Sequence, residues 1–140
     1  MRKLTGVLVI AYLLFPAVPS SAHHAFAAEF DSKQPIALKG TLTKVEWINP
    51  HGWIHLDVKG LDGKVENWAI ETGTPNSLMR KGLRITDFPV GIELTVTGYR
   101  AKNGSHIANG VTVKYPDGRE FFTGSSGTGI PAEGSRPGAK

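Results

Sequence analysis

The sequence predicts an all-β domain with one short helix, arranged as a small OB-like Greek-key β-barrel. Three observations predict it. Apolar and polar residues alternate with a period of two through much of the stretch from Ile36 to Thr123, the signature of half-buried strands. Turn-forming pairs, Asn49-Pro50, Asp62-Gly63, Asn103-Gly104 and Asp117-Gly118, punctuate that alternation. The clearest helix signal falls between the third and fourth strand candidates, and three strands, a helix and two strands is the element order of an OB-fold.

Taken in order, residues 1–22 read as a signal peptide. Arg2 and Lys3 form a basic head, Gly6 to Phe15 an apolar run, and Pro16 and Pro19 break any helix before the small residues Ser20 and Ala22. The run is too short to span a bilayer. Cleavage after Ala22 would leave His23 as the first residue of an exported, periplasmic protein. Residues 23–35 then form an N-terminal arm, with Phe26 and Phe30 as anchors and room for a short helix that needs docking to persist.

The barrel domain is expected over residues 36–123. Ile36 to Leu42 alternates in one phase and Val45 and Trp47 in the other, so the first strand should contain a bulge, with Gly40 offering the bend. The second strand, His51 to Lys59, puts Ile54, Leu56 and Val58 on one face and His51, Trp53, His55 and Asp57 on the other. Val65 to Glu71 returns from the Asp62-Gly63 turn with Trp68 and Ile70 on one side. Thr74 suits a helix N-cap, Pro75 the first helical position, Lys81 the last turn and Gly82 the stop. Ile92 to Tyr99 is the cleanest alternating strand, which puts Leu94 and Val96 in the core. Ile107 to Tyr115 returns from Asn103-Gly104 with an interruption at Asn109-Gly110, and Arg119 to Thr123 makes a last short strand. Residues 124–140 are rich in Gly, Ser, Pro and Ala and read as a disordered tail.

Composition narrows the function. The chain has no cysteine, which removes disulfides, thiolate metal sites and cysteine nucleophiles together. Taking Arg2 and Lys3 from the 16 basic residues leaves 14 against 12 acidic ones, and no basic cluster remains to mark a nucleic-acid binder. No phosphate loop, nucleophile elbow or His-Glu-x-x-His motif is present, so a binding role is expected and not an enzyme.

Two constellations carry candidate chemistry. A mature terminus at His23 would offer an amine beside the His23 ring, with His24 adding a second imidazole, and copper favours such nitrogen sites. The stripe His51, Trp53, His55 and Asp57 lies on the face where OB-folds bind ligands. His51 and His55 would sit about 13 Å apart on a regular strand and cannot share one ion without help from another element. Trp53 and Asp57 are the ligand-binding candidates, and His51, His55 and His106 the candidate further metal ligands. Glu46, Asp57, Glu66 and Glu71 are carboxylates that could partner a histidine.

The runs Gly40 to His51, Trp53 to Val58, His23-His24-Ala25-Phe26, Trp68 to Glu71 and Gly98 to Ala101 together resemble a family of small exported proteobacterial proteins assigned to a domain of unknown function. The resemblance covers nearly all of the chain after residue 22, and Trp47-Ile48-Asn49-Pro50-His51 is its most specific piece. It implies a periplasmic protein and brings no activity or ligand. Gly52 stands where a bulkier residue would suit the pattern equally well. A weaker similarity in element order links the chain to periplasmic OB-fold proteins that bind small cationic ligands or haem, a likeness of fold alone.

The expected function is a periplasmic binding module for a transition metal, copper foremost, or for a small ligand. The alternative is an envelope interaction or assembly module that docks a partner protein through the Trp53 face. No membrane span is expected after signal cleavage, and no nucleic-acid partner.

Overall fold

A computed structural model describes residues 22–124, with side chains from Phe26 onward. Residues 1–21, all of the expected signal peptide (1–22) but Ala22, and the tail beyond Gly124 lie outside the described residues. The elements are α1 (Ala22–Glu29), β1 (Phe30–Glu46), β2 (Trp53–Lys59), β3 (Val65–Glu71), α2 (Pro75–Arg80), β4 (Glu93–Ala101), β5 (Ile107–Lys114) and β6 (Glu120–Phe122), with a 3-10 turn at Ile85–Asp87. The fold is mostly β, with six strands and two short helices.

The strands pair in the order β3-β2-β1-β4-β5-β6, all antiparallel, and a further parallel pairing joins β3 to β5. The pairings β1–β2–β3–β5–β4 thus close a ring. β1 makes this possible because its 17 residues serve two neighbours: Phe30 to Thr41 pair with β4, and Gly40 to Glu46 pair with β2. Only Gly40 and Thr41 belong to both registers, so the strand changes partner there.

Several expectations are corrected. The arm does not extend to residue 35, because the chain is already in β1 at Phe30, which is 3% exposed and stacks on Phe26. The bulge falls between Leu42 and Lys44. Gly40 has another job: a Cβ there would lie 2.6 Å from the Asp57 carbonyl oxygen, so β1 and β2 approach too closely for any side chain. β2 begins at Trp53, leaving His51 just ahead of the strand. β5 runs through Asn109-Gly110 without a break and absorbs the irregularity as a register shift opposite Thr97 and Gly98.

The inner face follows the alternation. Ile54, Leu56, Val58, Trp68, Ile70, Leu94 and Val96 join one buried cluster with Leu42, Val113 and Tyr115. α2 is brief because its signals are local. Thr74 accepts a hydrogen bond from the Ser77 amide at 3.1 Å, and the helix adds the buried Leu78 to the core before the chain turns at Gly82. Leu83 and Phe88, from the stretch after α2, complete that cluster.

Candidate functional site

The outward face of β2 carries Trp53, His55 and Asp57, and antiparallel register decides their neighbours. Directly opposed residues project to the same side of a sheet. Trp53 pairs with Glu46 of β1 on one flank and with Glu71 of β3 on the other. Asp57 pairs with Asn67, whose Nδ2 donates to the Asp57 carboxylate at 2.9 Å. The stripe predicted along one strand is therefore the middle row of a three-strand surface, with a glutamate on each side of a half-buried tryptophan.

Each described histidine has its own carboxylate. His51 Nδ1 lies 3.1 Å from Glu71 Oε1 and 3.4 Å from the Thr72 carbonyl oxygen. His55 Nε2 lies 3.3 Å from Glu46 Oε1, close enough for an ion pair but not aligned as a hydrogen bond. His106 Nε2 lies 3.5 Å from Glu66 Oε2, and its ring stacks on Trp68 with centroids 5.0 Å apart. The other partners of this tryptophan are the Arg100 guanidinium, 5.4 Å from the ring centroid, and Glu66, which accepts its indole N–H at 3.2 Å. His106 is thus committed to the far end of β3 from Glu71. The histidines are not brought together, and among the described residues no group of three or more His, Cys, Asp or Glu is assembled to hold an ion.

The three pairs differ electrically. Lys44 hydrogen-bonds Glu46 and holds its carboxyl below the usual range, with His55 adding to the effect. Glu71 goes the other way: burial pushes its carboxyl up, the His51 ring opposes that, and the negative charge of Glu29 at the end of α1 reinforces it. Glu71 is held in place by the backbone around it. Gly52 N–H donates to the Gly73 carbonyl at 3.1 Å and Thr72 N–H to the Gly52 carbonyl at 2.8 Å, which fixes His51 beside the end of β3. Gly52 is the residue this requires, because a Cβ there would meet Thr72 Oγ1 at 2.7 Å; the sequence expectation that a bulkier residue would serve is overturned.

Beyond Glu71 the parallel β3–β5 pairing sets Asn109 opposite it. Asn109 is 3% exposed and its Oδ1 has no hydrogen-bond partner. Tyr99 of β4 is the next residue across, and Phe26 of α1 packs on it edge-to-face at 5.9 Å. A cleft of about 320 Å³ opens between α1 and the β4–β5 turn, with Glu29, Phe30 and Lys102 in its wall. His23 and His24 lie on the α1 backbone; their side chains are outside the described residues.

The sequence named the histidines and the carboxylates without pairing them. Lys44, Gly52 and Asn109 were missed as parts of the site. Their only signal is register, which requires knowing which strands are neighbours.

No helix among the described residues is long and apolar enough to cross a membrane. A family model described as a family of unknown function, DUF6152, matches residues 11–111. No curated protein and no solved structure matches the chain.

Proposed function

We propose that this chain, which belongs to DUF6152, a family of unknown function, is an exported OB-like β-barrel that acts as a binding module for a transition metal. Copper is the preferred ion, being the tightest-bound of the first-row divalent metals at nitrogen and oxygen sites. His23 is the leading ligand through its ring and the mature amine, and His24 is secondary. The module works in the periplasm after cleavage at Ala22, and its role is binding, not catalysis.

One observation carries this reading. α1 spans Ala22–Glu29, so the expected cleavage point and both terminal histidines lie on a helix whose last residue, Glu29, helps to raise the Glu71 carboxyl. The terminus belongs to an element packed on the domain through Phe26, Phe30 and Tyr99.

The competing reading is docking of an envelope protein through Trp53. Trp53 is half-buried and framed by Glu46 and Glu71, so it offers a smaller apolar anchor than the sequence stripe implied.

Copper titration of the purified mature protein tests the two readings. One Gly placed before His23 keeps every imidazole but moves the amine off the histidine, and should collapse the affinity. Trp53→Ala should leave it nearly unchanged. Affinity should also fall as pH falls, because protons compete for imidazole and amine nitrogens. Equal, weak binding by all three proteins would discard the metal reading in favour of docking. Terminal sequencing of exported material should read His-His-Ala-Phe; a start at Ala28 would remove the terminal chelate altogether.

A further inference from the structure

We propose that the domain docks on an anionic lipid surface through the stretch from Met79 to Val90 and the adjoining Ile48. The proposal does not rest on metal binding, and metal-free protein tests it.

The first argument is where the exposed apolar side chains stand. Six large ones are exposed among the described residues, and four of them, Ile48, Met79, Ile85 and Val90, belong to these two segments. The segments are in contact. Phe88 packs on Trp47, the residue before Ile48, with ring centroids 6.0 Å apart. Just past Val90, the Gly91 N–H donates to the Leu42 carbonyl of β1 at 2.8 Å. Single exposed apolar residues need no explanation, but their concentration on adjoining segments marks an interaction surface.

The second argument is charge. From Met79 to Val90 the chain carries Arg80, Lys81 and Arg84 against Asp87 alone. None of the three cations has an ion pair among the described residues. The Asp87 carboxylate accepts the Arg84 backbone N–H at 2.7 Å. Lys81 is partly committed, since its ammonium donates to the Gly124 carbonyl at 3.1 Å and lies over the Phe122 ring. Arg80 and Arg84 are the free charges, and each sits next to an exposed apolar residue, Met79 and Ile85. Apolar side chains set among cations are the composition of a segment that binds at a membrane interface.

The third argument is that the surface is already formed. Leu78, Leu83 and Phe88 are buried at five-residue intervals and hold the residues between them at the surface. Leu83 N–H donates to the Leu78 carbonyl at 3.0 Å, and Phe88 N–H to the Ile85 carbonyl at 3.1 Å. Docking therefore has little chain left to order.

A bilayer fits this surface better than a rigid acidic protein. Protein interfaces centre on a contiguous apolar core with aromatic anchors and a polar rim. Here the exposed residues are aliphatic chains and a thioether, and the cations fall between them along the chain. A fluid interface lets each apolar chain sink while each guanidinium meets a phosphate.

Co-sedimentation of the metal-free mature protein with vesicles decides the proposal, comparing phosphatidylcholine alone with equal parts phosphatidylcholine and phosphatidylglycerol. Binding is expected to the anionic vesicles and should fall with added salt. Each cation near such a surface contributes about fivefold in affinity, so Arg80→Gln with Arg84→Gln should weaken binding about 25-fold. Ile85→Ser with Val90→Ser should weaken it too, with the salt dependence kept. Lys59→Gln with Lys114→Gln removes the same charge from exposed positions on β2 and β5 and should change little. Circular dichroism reports folding, and if the serine protein fails to fold, the arginine and lysine proteins decide between them. Equal losses in those two would overturn the site, because net charge alone would then explain the attraction. No binding of the unaltered protein to anionic vesicles would overturn it as well. Binding to poly-L-glutamate that depends on Arg80 and Arg84, with vesicles ignored, would overturn the bilayer in favour of an acidic protein partner.

Discussion

The His55–Glu46 and His51–Glu71 pairs are made from the same two residue types, on either side of the same tryptophan, and they behave in opposite ways. Glu46 is held in its charged form by Lys44, with His55 adding to the effect. Glu71 resists its charge, because burial and Glu29 outweigh the help of His51. The difference lies in the third neighbour and not in the pair. A lysine beside the first turns it into an ordinary surface ion pair, whose contribution to stability is small and screened by salt. Burial and a second carboxylate, that of Glu29, leave the other pair without such a counter-charge.

The comparison assumes that both pairs stand on one rigid floor. Leu56→Ala tests that assumption and has the largest expected effect. Leu56 is fully buried beneath the stripe, between the inward neighbours Leu42 and Trp68. Truncating it should cost about 2–5 kcal/mol, measured by denaturant unfolding. A loss well under that range would mean that the floor yields, and that the two pairs can shift independently.

The next test reads Glu71 directly. Its folded pKa is raised, so the stability it contributes is full below the unfolded carboxylate value of 4.5 and is lost as pH rises through the folded value. In metal-free protein, Glu71→Gln should therefore raise the melting temperature at pH 7, with the gain fading towards pH 4. A fall at pH 7 would show that the ion pair with His51 outweighs burial, and the contrast with Glu46 would disappear.

Glu46→Gln should have the smallest effect and the opposite sign. Its folded pKa is lowered, so its contribution is present above 4.5 and lost as pH falls through the lower folded value. The change should produce a slight loss at neutral pH that added salt removes. A loss that survives high salt would mark His55–Glu46 as more than a surface pair.

Much of the fold was legible because it is written locally. Alternation in Ile54, Leu56 and Val58 needs only one strand to be read, and the Thr74-Pro75 start of α2 needs only the next turn. β3 was expected over the same residues it occupies, Val65 to Glu71, since its turn and its apolar pair both lie within the segment. The site was less legible. That Glu46 faces His55 while Glu71 faces His51 depends on a bulge at Leu42/Lys44 and on the backbone bonds of Gly52. Neither leaves a periodic trace. Gly40 misled for the same reason: a glycine that admits a neighbouring backbone looks, in sequence, like a glycine that bends its own.

The closing of the strand ring bears on how the molecule avoids its own kind. Pairing β3 to β5 removes two of the open strand edges on which β-proteins stack into aggregates. Among the described residues, the long stretch of β1 before Gly40 keeps one edge beyond the reach of β2. That stretch carries Asp31, Lys33, Pro35 and Lys39, three charges and a residue with no N–H to offer an incoming strand. A chain with no disulfide to lock it is thereby hindered from templating a copy of itself along that stretch of open edge.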